Sequence, residues 1–188
     1  DDLSCAREER CLTTFAGIPV EADAVFFVVD RSGSVANTGS LLWAKGEVAR
    51  VVWLLPEVAQ FGVLFFDDGL LAFPQGDEPL TAGATSKQEA VSFILSIGRG
   101  NGTCPAPALV AALRMAGRST ARTKAIFFVS DGGATCMGAD EAAYVRRTLE
   151  TVRAENKAMI PINSVGISDT LPAYESFLQT LASESGGV

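Results

Sequence analysis

Histidine is absent from this chain of 188 residues. Without an imidazole the protein cannot build a Ser-His-Asp or Cys-His catalytic group, a histidine-ligated zinc site or a histidine acid–base catalyst. The elbow sequence G-x-S-x-G, which carries the nucleophile of many hydrolases, is missing as well. These absences exclude the histidine-dependent mechanisms and argue against a hydrolase of the elbow type.

Cysteine is scarce, and no C-x-x-C pair occurs among the four cysteines. Cys5 and Cys11 lie far along the chain from Cys104 and Cys136, which argues against a four-cysteine zinc site. An even number of cysteines is compatible with disulfide bonds in an oxidising compartment, and the alternative is four free, buried thiols in a cytosolic protein. Of the three possible connectivities, one would tie Cys5 and Cys11 into a small N-terminal loop.

Positive charge is in deficit, since 15 basic residues face 22 acidic ones and give a net charge of −7. A nucleic-acid-binding protein needs a basic face for the phosphates, so this class is disfavoured. No apolar run approaches the roughly 20 residues that span a bilayer. The hydrophobic content of 48% and charged content of 20% are typical of a globular protein, and the length suits one domain.

Apolar runs alternate with helical patterns along the chain. Continuous apolar runs, typical of strands buried on both faces, predict strands at 24–30, 61–67, 125–130 and 160–167. Apolar periodicity, caps and prolines predict helices at 40–55, 86–97, 105–117, 140–154 and 171–183. An Asp-Gly turn predicts that a strand at 70–73 runs antiparallel to its neighbour. This order predicts a doubly wound α/β fold, with a mostly parallel central sheet, one antiparallel edge strand and helices on both faces.

Hard oxygen donors follow the first predicted strand directly. Asp30, Ser32 and Ser34 lie within five residues, and ligands of open α/β sheets bind beyond the carboxyl ends of the strands. Such donors suit a small cation such as Mg²⁺ or Mn²⁺, and the alternative is a cluster of helix N-caps. Two further loops, at 101–104 and 130–133, also carry oxygen ligands.

With this order of strands and helices and these three loops, the chain resembles the von Willebrand factor type A domain family, whose members carry a metal-ion-dependent adhesion site. Asp30-Arg31-Ser32-Gly33-Ser34 matches the D-x-S-x-S element, Gly102-Thr103 the threonine element, and Ser130-Asp131-Gly132 the aspartate element, in the family's order. The resemblance covers about residues 22–188 and leaves 1–21 as an N-terminal lead-in segment. The last edge strand of the family is missing, truncated or supplied from outside this sequence.

The resemblance implies which residues hold the divalent cation, Mg²⁺ or else Mn²⁺ or Ca²⁺: Asp30, Ser32, Ser34, Thr103 and Asp131. It also implies that an acidic side chain of a protein partner takes the open coordination position, with Arg31 and Gly102 at the rim. For Thr103 the alternative is a helix cap, and for Asp131 it is a turn residue. We interpret Asp67 and Asp68 as turn residues of the hairpin.

If the loops converge on one ion, as the resemblance implies, Cys104 beside Thr103 and Cys136 shortly after Asp131 come within bridging reach, about 7 Å between Cα atoms. We therefore expect a Cys104–Cys136 disulfide, and with it a Cys5–Cys11 disulfide. The first bridge would clamp two ion-bearing loops together and give a rigid site.

The resemblance implies a metal-dependent binding or adhesion module, working as a monomeric domain of a larger chain or assembly outside the cell or in its envelope. The alternative is a structural module of a secreted or envelope protein, in which the ion stiffens the loops. A Mg²⁺-dependent phosphotransfer enzyme is the third hypothesis. Phosphotransfer enzymes with an aspartate nucleophile carry a motif similar to D-x-D-x-[TV]. Ser32 stands at the position of the second acid here, so we expect no enzymatic activity.

Overall fold

The computed structural model describes residues 13–138, 140–167 and 172–188. The strands are β1 (Thr13–Phe15), β2 (Ile18–Val20), β3 (Ala24–Asp30), β4 (Gln60–Phe66), β5 (Leu70–Phe73), β6 (Leu80–Thr81), β7 (Lys124–Ser130) and β8 (Ile162–Gly166). The helices are α1 (Gly33–Asn37), α2 (Ser40–Leu54), α3 (Ala84–Ser96), α4 (Pro105–Arg118), α5 (Glu141–Glu155) and α6 (Pro172–Ser185).

The main sheet is built around β3, which pairs in parallel with β4 on one side and with β7 on the other. Strand β8 pairs in parallel with β7. At the opposite edge β5 runs antiparallel to β4, and the short β6 also pairs antiparallel with β4. The strand order β5–β4–β3–β7–β8 confirms the predicted, mostly parallel sheet with an antiparallel edge.

Alternate residues of β3 enter two hydrophobic cores on opposite faces of the sheet. Val25 and Phe27 pack in the core that α2 and α3 cover, whereas Phe26 and Val28 pack in the core that α4, α5 and α6 cover. All four side chains are fully buried. Burial on both faces explains why this strand reads as an uninterrupted apolar run, and it confirms the doubly wound arrangement.

A small hairpin of β1 and β2, which the sequence did not reveal, closes part of the first core. Phe15 is fully buried, and its ring centroid lies 5.2 Å from that of Phe27 and 5.1 Å from that of Phe127. The Ala16 N–H donates to Glu47 Oε1 of α2 (3.1 Å). The hairpin lies within the stretch assigned to the lead-in segment, and its strands are too short to leave a clear alternating pattern.

The predicted strands and helices are present, with ends that differ by no more than two residues. At the open edge of β8, the Ser164 N–H donates to the Val188 carbonyl oxygen (2.8 Å), so the last residue lies against this strand. Cys5 and Cys11 lie outside the described residues, so their pairing stays a prediction. Within the described ranges, every helix is too short or too polar to cross a membrane.

Replacing Phe15 by Ala should lower the free energy of unfolding by about 3–5 kcal/mol, the usual cost of removing a buried phenylalanine ring. Urea denaturation monitored by circular dichroism measures this change. Thr14→Ala, at the exposed neighbouring position, is the control and should change stability by less than about 0.5 kcal/mol. Equal effects of the two substitutions would contradict the assignment of the hairpin to the core.

Candidate metal site

A buried carboxylate ends the central strand. Asp30 has no exposed surface, and its two oxygens accept hydrogen bonds from the Ser32 backbone N–H (2.8 Å) and the Ser130 hydroxyl (2.8 Å). Because Ser130 ends the neighbouring β7, the carboxylate is fixed between two strands. Burial raises the pKa of Asp30 from 3.8 to about 6, although both serines oppose the shift, and the negative charge of Asp131 raises it further.

Two hydroxyls and a second carboxylate lie together beside Asp30. The Ser32 and Ser34 Oγ atoms are 3.2 Å apart, and the Ser34 hydroxyl donates to Asp131 Oδ2 (2.6 Å). Ser32 is the N-cap residue of α1, yet its side chain makes no capping hydrogen bond, so capping does not account for the Ser32 hydroxyl. Asp131 Oδ1 accepts from the Gly133 N–H (3.0 Å), so this residue also has the turn role considered as its alternative.

Thr103 reaches the same edge of the sheet through its loop. The Gly100 N–H donates to the Arg31 carbonyl oxygen (2.7 Å), which joins this loop to the one that follows β3. Thr103 is buried, and in the described part of the chain its hydroxyl forms no hydrogen bond with the other predicted ligands. The N-cap of α4 is Cys104 rather than Thr103, so the capping alternative does not hold for this threonine.

Two glycines allow the loops of the site to lie close to neighbouring segments. Gly102 has φ +58° and Gly132 has φ +85°. Residues with a side chain rarely adopt such values, which lie in the left-handed region. A Cβ atom on Gly102 would collide with the carboxylate of Asp68, and one on Gly132 would lie 2.7 Å from Tyr174 Cβ. The predicted rim position at Gly102 therefore requires the smallest residue.

Asp67 joins three loops at this end of the sheet. Its Oδ1 accepts from the Gly69 N–H (2.8 Å), as expected of a turn residue, and its Oδ2 accepts from Arg31 Nη2 (2.8 Å) and the Asn101 N–H (3.1 Å). Its carbonyl oxygen also accepts from the Cys104 N–H (2.8 Å). Burial opposes its ionisation, but the N–H groups of Gly69 and Asn101 and the Arg31 guanidinium together lower the pKa of Asp67.

The predicted rim residue Arg31 is directed at this carboxylate. Its side chain is only 18% exposed, and besides the bond to Asp67 its Nη1 donates to the Gly98 carbonyl oxygen (3.3 Å). Its charge is thus largely engaged within the protein.

A disulfide confirms the predicted pairing of Cys104 with Cys136. The sulfur atoms are 1.99 Å apart and the Cα atoms 4.6 Å apart. Because Cys104 adjoins Thr103 and Cys136 follows the Asp131 loop, the bond connects the two loops covalently.

The donor set fits a hard divalent cation. Neither Asp30 nor Asp131 has an ion-pair partner among the described residues, so no protein cation there neutralises the two carboxylates. No group of three or more His, Cys, Asp or Glu side chains that could hold a metal occurs in those residues, and any ion would therefore depend on the hydroxyls of Ser32 and Ser34. Mg²⁺, Mn²⁺ and Ca²⁺ accept such oxygen donors.

Sequence reasoning did not predict the roles of three residues at the site. Ser130 positions Asp30, Asp67 connects the loops, and Arg99 lies over Gly33, the glycine between the two serines. Ser130 and Asp67 stand at or just after the carboxyl ends of strands, where the groups of such sites collect, so their positions were a usable signal. No local pattern distinguishes Arg99.

The strand order and the polar cluster at the carboxyl ends define a doubly wound α/β protein with a candidate ligand site at the strand ends. Comparison with solved structures identifies the fold more narrowly as that of von Willebrand factor type A domains. One such protein from Catenulispora acidiphila has a TM-score of 0.75 and 19% identity, over 91% of this chain. No protein-family model and no curated protein sequence matches the chain.

Two surface proteins of bacteria share the fold. The pilus adhesin SpaC from Lactobacillus rhamnosus GG has a TM-score of 0.66 and 15% identity, over 89% of this chain. A mutant of the PilB minor pilin from Streptococcus sanguinis has a TM-score of 0.64 and 13% identity, over 87% of this chain and 54% of its own length. The match spans only 38% of the Catenulispora protein and 27% of SpaC.

The raised pKa of Asp30 predicts a stability that depends on pH in metal-free protein. Between about pH 4 and pH 6 the folded state binds a proton that the unfolded state has lost, so stability falls as the pH rises through 6. Asp30→Asn should remove this dependence and, at pH 7 in EDTA, raise the free energy of unfolding by about 1–3 kcal/mol. Urea denaturation at pH 4.5 to 7.5 measures both effects.

Asp140→Asn, at an exposed helix cap, is the control for this series and should keep the pH dependence that Asp30 causes. An Asp30→Asn protein with an unchanged pH profile would contradict the assignment of the raised pKa to this residue.

The contacts of Asp67 predict an unequal effect at two adjacent carboxylates. Asp67→Asn should lower the free energy of unfolding by about 1.5–3 kcal/mol, because it weakens hydrogen bonds to a charged acceptor. It should also speed hydrogen exchange at the Gly69 and Asn101 amides, which donate to this carboxylate. The exposed Asp68→Asn, which removes the same charge, should have little effect on either measurement, and equal effects would contradict the connecting role of Asp67.

Proposed function

We propose that this chain is a divalent-cation-dependent adhesion module that captures an acidic side chain of a partner protein. The observation that carries the proposal is the cluster of Ser32, Ser34 and Asp131 beside the buried Asp30. The proposed ion is Mg²⁺, with Mn²⁺ and Ca²⁺ as alternatives, held by Asp30, Ser32, Ser34, Thr103 and Asp131. When bound, the cation would offer an open coordination position to a carboxylate oxygen of the partner.

The hydrogen bonds of the site support a proposed ion whose positive charge is only partly neutralised by the protein. Asp30 already accepts from Ser32 and Ser130, and Asp131 from Ser34 and Gly133. These bonds suit carboxylates that orient hydroxyls or ion-bound water and do not ligate the ion directly. This is a common role for groups that hydrogen-bond to the ligands of a metal. Neutral hydroxyls would then supply the direct ligands, and the remaining positive charge would attract an acidic side chain.

The wider setting supports a role outside the cytoplasm. Disulfides persist mainly in oxidising compartments, and Cys104–Cys136 lies within the candidate site. The fold is shared with a pilus adhesin and a minor pilin, each longer than this chain. We propose that the domain belongs to an extracellular or envelope protein, as a monomeric unit of a larger chain or assembly without enzymatic activity.

A structural module is the second candidate function. In that case the ion would only stiffen the loops, which the disulfide and Asp67 already connect. The two functions differ in what the ion is needed for, since a stabilising ion raises the melting temperature without a partner and plays no part in binding one.

Cation titration of EDTA-treated protein is the first test. Mg²⁺, Mn²⁺ or Ca²⁺ should raise the melting temperature saturably, and an ion at 100 times its dissociation constant contributes about 2.7 kcal/mol. Asp30→Asn and Asp131→Asn should abolish the rise, because each removes a charge beside the ion. Asp77→Asn, at an exposed position outside the site, is the control and should respond like the unaltered protein.

Calorimetry with a glutamate-containing peptide separates the two functions. The adhesion proposal predicts that acetyl-Gly-Glu-Gly-amide binds with the cation and not in EDTA. A cation response without cation-dependent peptide binding would favour the structural module. No response to any ion, with or without the peptide, would contradict a metal site altogether.

A further inference from the structure

A second arginine lies directly over the loop that carries the two serines. Arg99 stands between α3 and α4, and a Cβ atom built on Gly33 would lie 2.9 Å from Arg99 Nη2. Gly33 separates Ser32 from Ser34, whose hydroxyl oxygens are 3.2 Å apart. The absence of a side chain at Gly33 thus lets the guanidinium rest against the backbone between the two hydroxyl donors.

The charge of Arg99 is not neutralised within the described residues. Its Nη1 donates to the Asn37 Oδ1 (3.2 Å), which is a neutral amide, and none of the ion pairs found there involves it. The residue is exposed, whereas Arg31 is 18% exposed and paired with Asp67. In a chain with a net charge of −7, Arg99 is therefore a positive group at the site that remains available to a partner.

We infer that Arg99 is a second anchor for the partner, which presents two acidic groups: one carboxylate for the cation and another for this guanidinium. The inference rests on the proposed function and specifies the chemistry of its partner. A guanidinium binds a carboxylate through two parallel hydrogen bonds, so Arg99 would fix the direction of the partner segment as well as add affinity. In an extended segment, side chains two residues apart point to the same face, about 6.6 Å from each other. Acid-x-acid is the shortest spacing that presents two acids on one face of an extended segment, and it is the recognition sequence that the inference takes for the partner.

Three peptides test the second anchor. Acetyl-Gly-Glu-Gly-Glu-Gly-amide carries both acids, and two single-acid versions carry glutamine at one or the other glutamate. In saturating Mg²⁺, calorimetry should find that the unaltered protein binds the two-acid peptide about 10-fold more tightly than either single-acid peptide, a difference of about 1.4 kcal/mol.

Substitution of Arg99 should remove only this preference. Arg99→Gln should bind all three peptides with about the affinity that the unaltered protein has for the single-acid peptides. Arg99→Lys should keep part of the preference for the two-acid peptide, because its charge remains without the planar fork. The cation affinity of Arg99→Gln should be unchanged or higher, since a positive neighbour has been removed. Arg122→Gln, exposed just before β7 at the opposite end of the sheet, is the matched control and should behave like the unaltered protein.

The outcomes separate this inference from the proposed function. If the unaltered protein binds a single-acid peptide with the cation but gains nothing from the second acid, the inference is wrong and the adhesion proposal stands. A preference that persists in Arg99→Gln, or that Arg122→Gln also loses, overturns the inference in the same way. If no peptide binds with any of the three ions, the proposed function fails and the second anchor fails with it.

Discussion

The complete burial of Asp30 is the constraint on which the candidate site depends. The central strand is covered on both faces and paired on both edges, so the carboxylate that ends it is withdrawn from water as well. Its ionisation is costly, as its raised pKa indicates, and the two hydrogen bonds from Ser32 and Ser130 offset this cost only in part. A nearby cation favours the charged form of a buried carboxylate, and this is the physical reason for proposing that the surrounding hydroxyls help to hold one.

The loops around this carboxylate are held by bonds of different kinds. The Cys104–Cys136 disulfide joins the Thr103 loop to the Asp131 loop, and Asp67 joins that same Thr103 loop to the end of β3 through Arg31. Such ties reduce the number of arrangements that the loops can adopt, so less conformational entropy would be lost on binding the proposed ion or partner. The rigid site expected from the sequence is thus supported by more connections than the disulfide alone.

Most of the architecture and the main polar groups of the site were predictable. The apolar runs predicted the strands of the sheet and placed Asp30 and Asp131 at strand ends, and the resemblance implied that their loops converge. The hairpin that contains Phe15 was not predicted, because strands of three residues are too short to show an alternating apolar pattern. The two arginines were harder still, since nothing in the sequence indicates that Arg31 pairs with Asp67 while Arg99 has no ion-pair partner among the described residues.

The sequence by itself determined the buried strands, the helices between them and the oxygen donors at the strand ends, because these depend on the spacing of apolar residues and on short motifs. Only the tertiary structure decided how those groups are connected. The contact of Asp67 with Arg31 joins residues 36 positions apart, and the position of Arg99 over Gly33 likewise joins separate loops. Such contacts arise when helices and strands pack. Packing brings together loops whose local sequences do not indicate that they will be in contact.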